Sequence, residues 1–122
     1  MKRDMDLIRK ILLSYEAEPG AQVPSKVAIE GYSEEQIDFH LFLMWEAGLI
    51  KASDTRTLRD RYTITPLNIT WAGYEFLEAC RDEGRWKKAK AIAEKTGGMS
   101  LDVLKATLTA LATQGMKTLL GM

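Results

Sequence analysis

The sequence predicts a mainly α-helical fold with one small β-hairpin set between helices. Three observations carry this reading. Apolar residues recur at helical spacing in five segments. A capping box, Ser33-Glu34-Glu35-Gln36, opens the second of them. Two short runs containing β-branched residues flank a polar stretch, Asp54 to Asp60, between the second and third. At 122 residues the chain can bury a core of ordinary size without a metal or disulfide staple.

The elements follow in order. Asp4 to Tyr15 reads as the first helix, with Met5, Ile8, Leu12 and Tyr15 on one face and Asp4 and Asp6 favouring its N-terminal turn. Pro19-Gly20 ends it. Val23 to Ile29 is partly β-branched and bounded by Pro24 and Gly31, and its end is expected to form a small strand. The capping box then starts a helix whose buried stripe is Ile37, Leu41, Met44 and Trp45. Gly48 supplies a left-handed stop there, and Leu49 packs back. Leu49 to Ser53 and Arg61 to Ile64 are the expected hairpin strands. Thr70 caps a helix from Trp71 to about Asp82, with Gly73, Leu77 and Cys80 inward and Gly84 breaking it. Trp86 to Lys95 is a basic helix closed by Gly97-Gly98. Ser100 caps the last helix, which runs to about Leu120 with Leu101, Leu104, Leu108, Leu111 and Ala112 as its stripe.

This order of helix, small strand, helix ending in Ala47-Gly48-Leu49-Ile50, hairpin and Thr-capped helix matches a winged helix-turn-helix-like core followed by C-terminal helices. The expected division is 1–84 for that core and 85–122 for a helical extension that packs on it or dimerises.

Ile37 to Leu41, followed by Glu46 to Ile50, resembles the recognition-helix signature of metal-sensing and related winged-helix repressors. Ile69 to Leu77 resembles the Leu-Thr-x-x-Gly-x-x-x-Leu helix that often follows a wing. Over nearly its full length the chain resembles an uncharacterised family of small bacterial and prophage proteins, classed as a domain of unknown function. The shared stretches are Met1 to Arg9, Gly31-Tyr32-Ser33, His40-Leu41, Glu46 to Ile50, Thr70 to Gly73 and Arg85 to Lys90. That resemblance implies a winged-helix fold and a bacterial or phage origin, and no activity.

Charge narrows the functional classes. Lys+Arg and Asp+Glu both number 17, so the whole chain offers no attraction to nucleic acid or to an anionic membrane. The repressor pattern has a small polar residue and a cation before its His; here stand Asp38 and Phe39, and Phe42 takes a place where Lys often stands. From Glu34 to Ala47 there are four acids and no Lys or Arg. DNA binding relies on cations that displace counterions and on base-reading Arg, Lys, Asn and Gln, so this helix is a poor DNA reader. Cations are in surplus in the hairpin, with Arg56, Arg59 and Arg61, and in the stretch carrying Lys87, Lys88 and Lys90. Either set can touch phosphate backbone without reading sequence, or simply form a solvated face.

The remaining candidates each have two readings. Helical geometry turns Asp38 and Phe42 outward beside Glu35 and Glu46, so Asp38, Phe39, Phe42 and Glu46 suit contact with a protein, unless the first helix or the chain's end covers the rings. Leu101, Leu104, Leu108 and Leu111 either dock on the domain or pair with a second copy. His40, the one histidine, and Cys80, the one cysteine, are expected to be structural. No phosphate loop, nucleophile with a base, or metal-ligand cluster stands out, so the chain is expected to be no enzyme and to hold no cofactor, metal or small-molecule substrate. An unpaired cysteine, a start without a signal-peptide core and the lack of a long apolar run point to the cytoplasm, with no membrane partner. The sequence therefore favours a regulator or adaptor acting by protein contact, with a DNA-binding regulator as the alternative and an enzyme or metal sensor as a remote third.

Overall fold

The computed structural model describes residues 1–121; Met122, the last residue of the expected extension, lies outside them. Seven elements follow in order: α1 (Met5–Glu16), α2 (Glu34–Glu46), β1 (Ile50–Ser53), β2 (Thr65–Ile69), α3 (Trp71–Cys80), α4 (Glu83–Thr96) and α5 (Leu101–Leu119). The protein is mainly helical with one small antiparallel hairpin, as the sequence predicts. It forms two compact units, Met1–Glu75 and Phe76–Met122. No helix among the described residues is long and apolar enough to cross a membrane.

In the first unit α1 packs on α2, burying Leu7, Ile8, Ile11, Leu12 and Tyr15 from one and Ile37, Leu41 and Met44 from the other. Each start is set locally. The Asp4 carboxylate accepts the Asp6 and Leu7 amides, and the Ser33–Gln36 capping box is complete, with bonds of 3.1 and 2.8 Å. At the other end of α2, Gly48 adopts φ 78°. The Gly48 N–H then bonds the Trp45 carbonyl and the Leu49 N–H the Met44 carbonyl, the two bonds of a Schellman motif. Trp45, expected in the buried stripe, is half-buried; His40 takes its place in the core.

Three local expectations are corrected. No strand forms in Val23–Ile29. Val23 donates one bond to the Leu67 carbonyl on β2, and Pro24, which has no N–H, cannot extend a ladder. The second hairpin strand is Thr65–Ile69, not Arg61–Ile64. Its register runs Ile50↔Ile69 and Lys51↔Asn68, then shifts so that Ala52 faces Pro66, leaving Leu67 as the bulged residue. Gly84 does not break a helix: α3 stops at Cys80, Asp82 caps α4 through the Arg85 amide at 2.7 Å, and Gly84 sits in the first turn of α4.

In the second unit α4 and α5 lie together. Phe76, Leu77, Cys80, Trp86, Ala89, Ala93, Leu104 and Leu108 are buried, with Trp86 edge-on to Phe76 at 6.2 Å. Leu104 and Leu108, read as dimer candidates, therefore belong to this core and offer no surface to a second copy. Leu101 and Leu111 are half-buried.

Candidate functional site

The outer face of α2 meets the eleven-residue β1–β2 loop, residues 54–64. The loop is built by its own polar side chains. Thr57 and Asp60 exchange bonds of 2.8 and 3.0 Å, Asp60 accepts the Thr63 amide at 3.0 Å, and the Thr55 hydroxyl donates to the Thr63 carbonyl at 3.2 Å. So organised, it lays Tyr62 edge-on against Phe39 at 5.3 Å and against Phe42 at 5.2 Å. Arg56 reaches over Phe42 and Trp45, 5.4 and 5.1 Å from their centroids. Its guanidinium also donates two bonds to Asp54, of 2.9 and 2.8 Å.

Phe39 and Phe42 do face outward from the helix bundle, but they are half-buried. The loop covers them, with Tyr62 edge-on to both rings and Arg56 over Phe42. Asp38 is half-buried on the same face, and Glu46 is exposed at its far end, close enough for its charge to act on Arg56. The structure thus brings the expected protein-contact residues and the loop cations Arg56, Arg59 and Arg61 onto one face. Lys87 and Lys88 are exposed on α4 in the second unit; Lys87 lies 3.7 Å from Glu83, and Lys90 stands over Trp86.

Between the start of α2 and the loop is an open cleft of about 950 Å³, lined by Glu34, Glu35, Asp38 and Phe39 on one side, Leu58 to Thr63 on the other, and Met1. Burial raises the Asp38 carboxyl above its ordinary range, with Glu34 and Asp60 adding to the rise and Lys26 opposing it. Lys26 is bonded to Glu34 at 2.7 Å. Asp54 behaves oppositely: its bonds from Arg56 hold it down at about 2. A depressed carboxyl keeps its folded-state contribution above its ordinary pKa and loses it as pH falls through the folded value. The Arg56 latch should therefore persist at pH 3 and release as pH falls through about 2. Ring-current shifts of the Trp45 indole would follow it, and release already at pH 4 would contradict the assigned bond.

His40 is buried, with both ring nitrogens used. Nε2 accepts the Asp4 amide at 2.8 Å, and Nδ1 lies 2.7 Å from the Gln36 carbonyl, to which it must donate. The Tyr32 hydroxyl donates to the Asp4 carboxylate at 3.0 Å. Three stretches that carried the family resemblance, at Asp4, Tyr32 and His40, thus meet in one polar tie between α1 and α2. Cys80 is a buried thiol. No group of three His, Cys, Asp or Glu that could hold a metal ion occurs among the described residues.

Three participants escape sequence reasoning: Tyr62, which reads as a strand residue, Trp45, which reads as core, and Leu58 at the loop tip, which is 91% exposed. Away from the site, Trp71 at the start of α3 is 83% exposed. Trp71 sits across the helical wheel from Gly73 and Cys80, so the wheel already placed it outside. For Tyr62, no signal short of the hairpin register was available.

The model of the family described as "Hypothetical protein (DUF2513)" matches residues 2–100. A Haemophilus influenzae protein described as uncharacterized is 35% identical over 118 residues, covering 93% of this chain and 98% of its own length. No solved structure matches. The stretch from the Asp4–His40 tie through the α2–loop face to α4 is thus shared with a defined set of sequences, and the chain belongs to the DUF2513 family.

Proposed function

We propose that this is a small bacterial protein on a winged-helix scaffold, of host or prophage origin, acting as a regulator or adaptor by binding another protein. Support for the scaffold comes from the order of elements: α1 against α2, an immediate hairpin, and the Thr70-capped α3. The observation that carries the protein-binding reading is the state of the α2 outer face. It bears four acids and no cation, and its own loop roofs it with Tyr62 and an Arg56 already bonded to Asp54. A helix in that condition presents a major groove with the wrong charge and a covered surface. An aromatic cleft fringed by carboxylates, beside an exposed Leu58, suits protein contact. Catalysis has no part in this reading: His40 and Cys80 serve the core.

The second reading, a DNA-binding regulator, is favoured by Arg59 and Arg61, which are exposed and make no ion pair among the described residues. The two readings separate in one pair of measurements. A photo-crosslinking residue at Leu58, in the intact chain in bacterial cells, should yield a discrete protein adduct that the same residue at Glu18 does not. Purified protein should not bind random duplex at low salt. Duplex binding that falls steeply with salt and disappears on Arg59→Glu with Arg61→Glu would overturn the protein reading in favour of DNA.

A further inference from the structure

We propose that the cleft beside the start of α2 seats an arginine side chain of the partner protein, laid against the Phe39 and Tyr62 rings and held by the Asp38 carboxylate. This rests on the protein-binding reading and names the chemistry of the partner.

The argument comes from comparing the two halves of one helix face. In the C-terminal half, Phe42 and Trp45 carry a guanidinium over their rings, and Asp54 fixes it by two hydrogen bonds. The cation is the chain's own Arg56. One turn earlier the same parts recur: an edge-on ring pair, Phe39 and Tyr62, with Asp38 beside it; the rim carries Glu34, Glu35 and Asp60 together with Arg59, Arg61 and Met1. Here, among the described residues, no Lys or Arg stands over either ring and Asp38 makes no ion pair. Lys26, the cation whose charge acts on Asp38, is held by Glu34.

A further observation points the same way. Asp38 is held in partial burial with its ionised form disfavoured, which an incoming cation would relieve. Arginine suits this better than lysine. Its planar guanidinium stacks on rings and pairs bidentately with a carboxylate, as Arg56 does next door. The volume of about 950 Å³ admits a short stretch of chain around that side chain.

The test uses the intact, isotope-labelled protein and acetyl-Gly-Arg-Gly-amide as the probe, with its neutral citrulline twin as control. The arginine peptide should shift the Phe39 and Tyr62 ring resonances saturably, and the citrulline peptide should bind roughly tenfold more weakly, as expected on losing a charge-assisted bond. Asp38→Asn should lower the arginine affinity roughly tenfold while leaving the ring–ring shifts of the free protein in place. Glu35→Gln, at an exposed position, provides a second reading of the acid rim and should weaken binding by a smaller factor. No saturable shift at millimolar peptide, an equal response to citrulline, or indifference to Asp38→Asn would each overturn the proposal. A protein adduct at Leu58 that forms equally well in the Asp38→Asn chain would overturn it too, while leaving the protein-binding reading intact. Salt-sensitive duplex binding would overturn both.

Discussion

Gly73→Ala is expected to destabilise the first unit by about 3 kcal/mol, at the upper end of what overpacking a tight contact costs. The start of α3 is pinned to the end of α2: the Thr70 amide donates to the Leu49 carbonyl at 3.0 Å, and the Thr70 hydroxyl donates to the Gly48 carbonyl while accepting the Gly73 amide. That double tie draws the helix so close that a methyl group at Gly73 would fall on the Leu49 carbonyl oxygen and within 2.7 Å of the Ile69 side chain. The obstacle is mostly backbone, which cannot swing aside, so the tie itself must lengthen. Gly115→Ala is the control. It lies inside α5 with open space around it, so the same change should stabilise by up to about 1 kcal/mol through helix propensity. Urea unfolding of both variants checks the pair. Equal, small effects would mean that the approach of α3 to Leu49 is not as close as described.

Trp86→Ala should cost the second unit about 3–5 kcal/mol, the usual range for emptying a buried aromatic site. Trp86 is 2% exposed and is the largest fully buried side chain among the described residues. It stands edge-on to Phe76, and Ala89 and Ala93 follow it on the buried side of α4. Removing the indole leaves Phe76 without its ring partner and thins a core that has little else of that size. Amide exchange at Leu104 and Leu108, both fully buried on α5, should accelerate by orders of magnitude. Exchange unchanged from the parent would show that α5 is held by something other than this core.

Features fixed within a few residues were legible in the sequence. The caps at Ser33, Thr70 and Ser100 act over two or three residues, and the Ala47-Gly48-Leu49 stop needs only a glycine in the left-handed region and an apolar residue after it. The apolar stripes of α1, α2 and α5 follow from helical periodicity for the same reason. The second hairpin strand was not legible. Pro66 argues against a strand when read alone, and it is tolerated because it falls where the register slips past the bulge at Leu67. Pairing partners are chosen across the hairpin, and nothing within residues 61–69 announces them. The error displaced Tyr62 and Ile64 from the loop, which hid the cover over α2.

By itself, then, the sequence determined a mainly helical chain, its helix ends, the acidic sign of the α2 outer face and the membership of an uncharacterised family, because each depends on local chemistry or direct residue identity. Only the tertiary structure decided what lies on that face. An eleven-residue loop, once its own Thr and Asp side chains hold it in shape, returns Tyr62 and Arg56 onto rings that periodicity had left facing solvent. A guanidinium then stands over the rings of Phe42 and Trp45, while among the described residues no Lys or Arg stands over those of Phe39 and Tyr62. The sequence lists both sets of residues, but only loop geometry sorts them, because side-chain reach across the turn is fixed by strand register and not by sequence spacing.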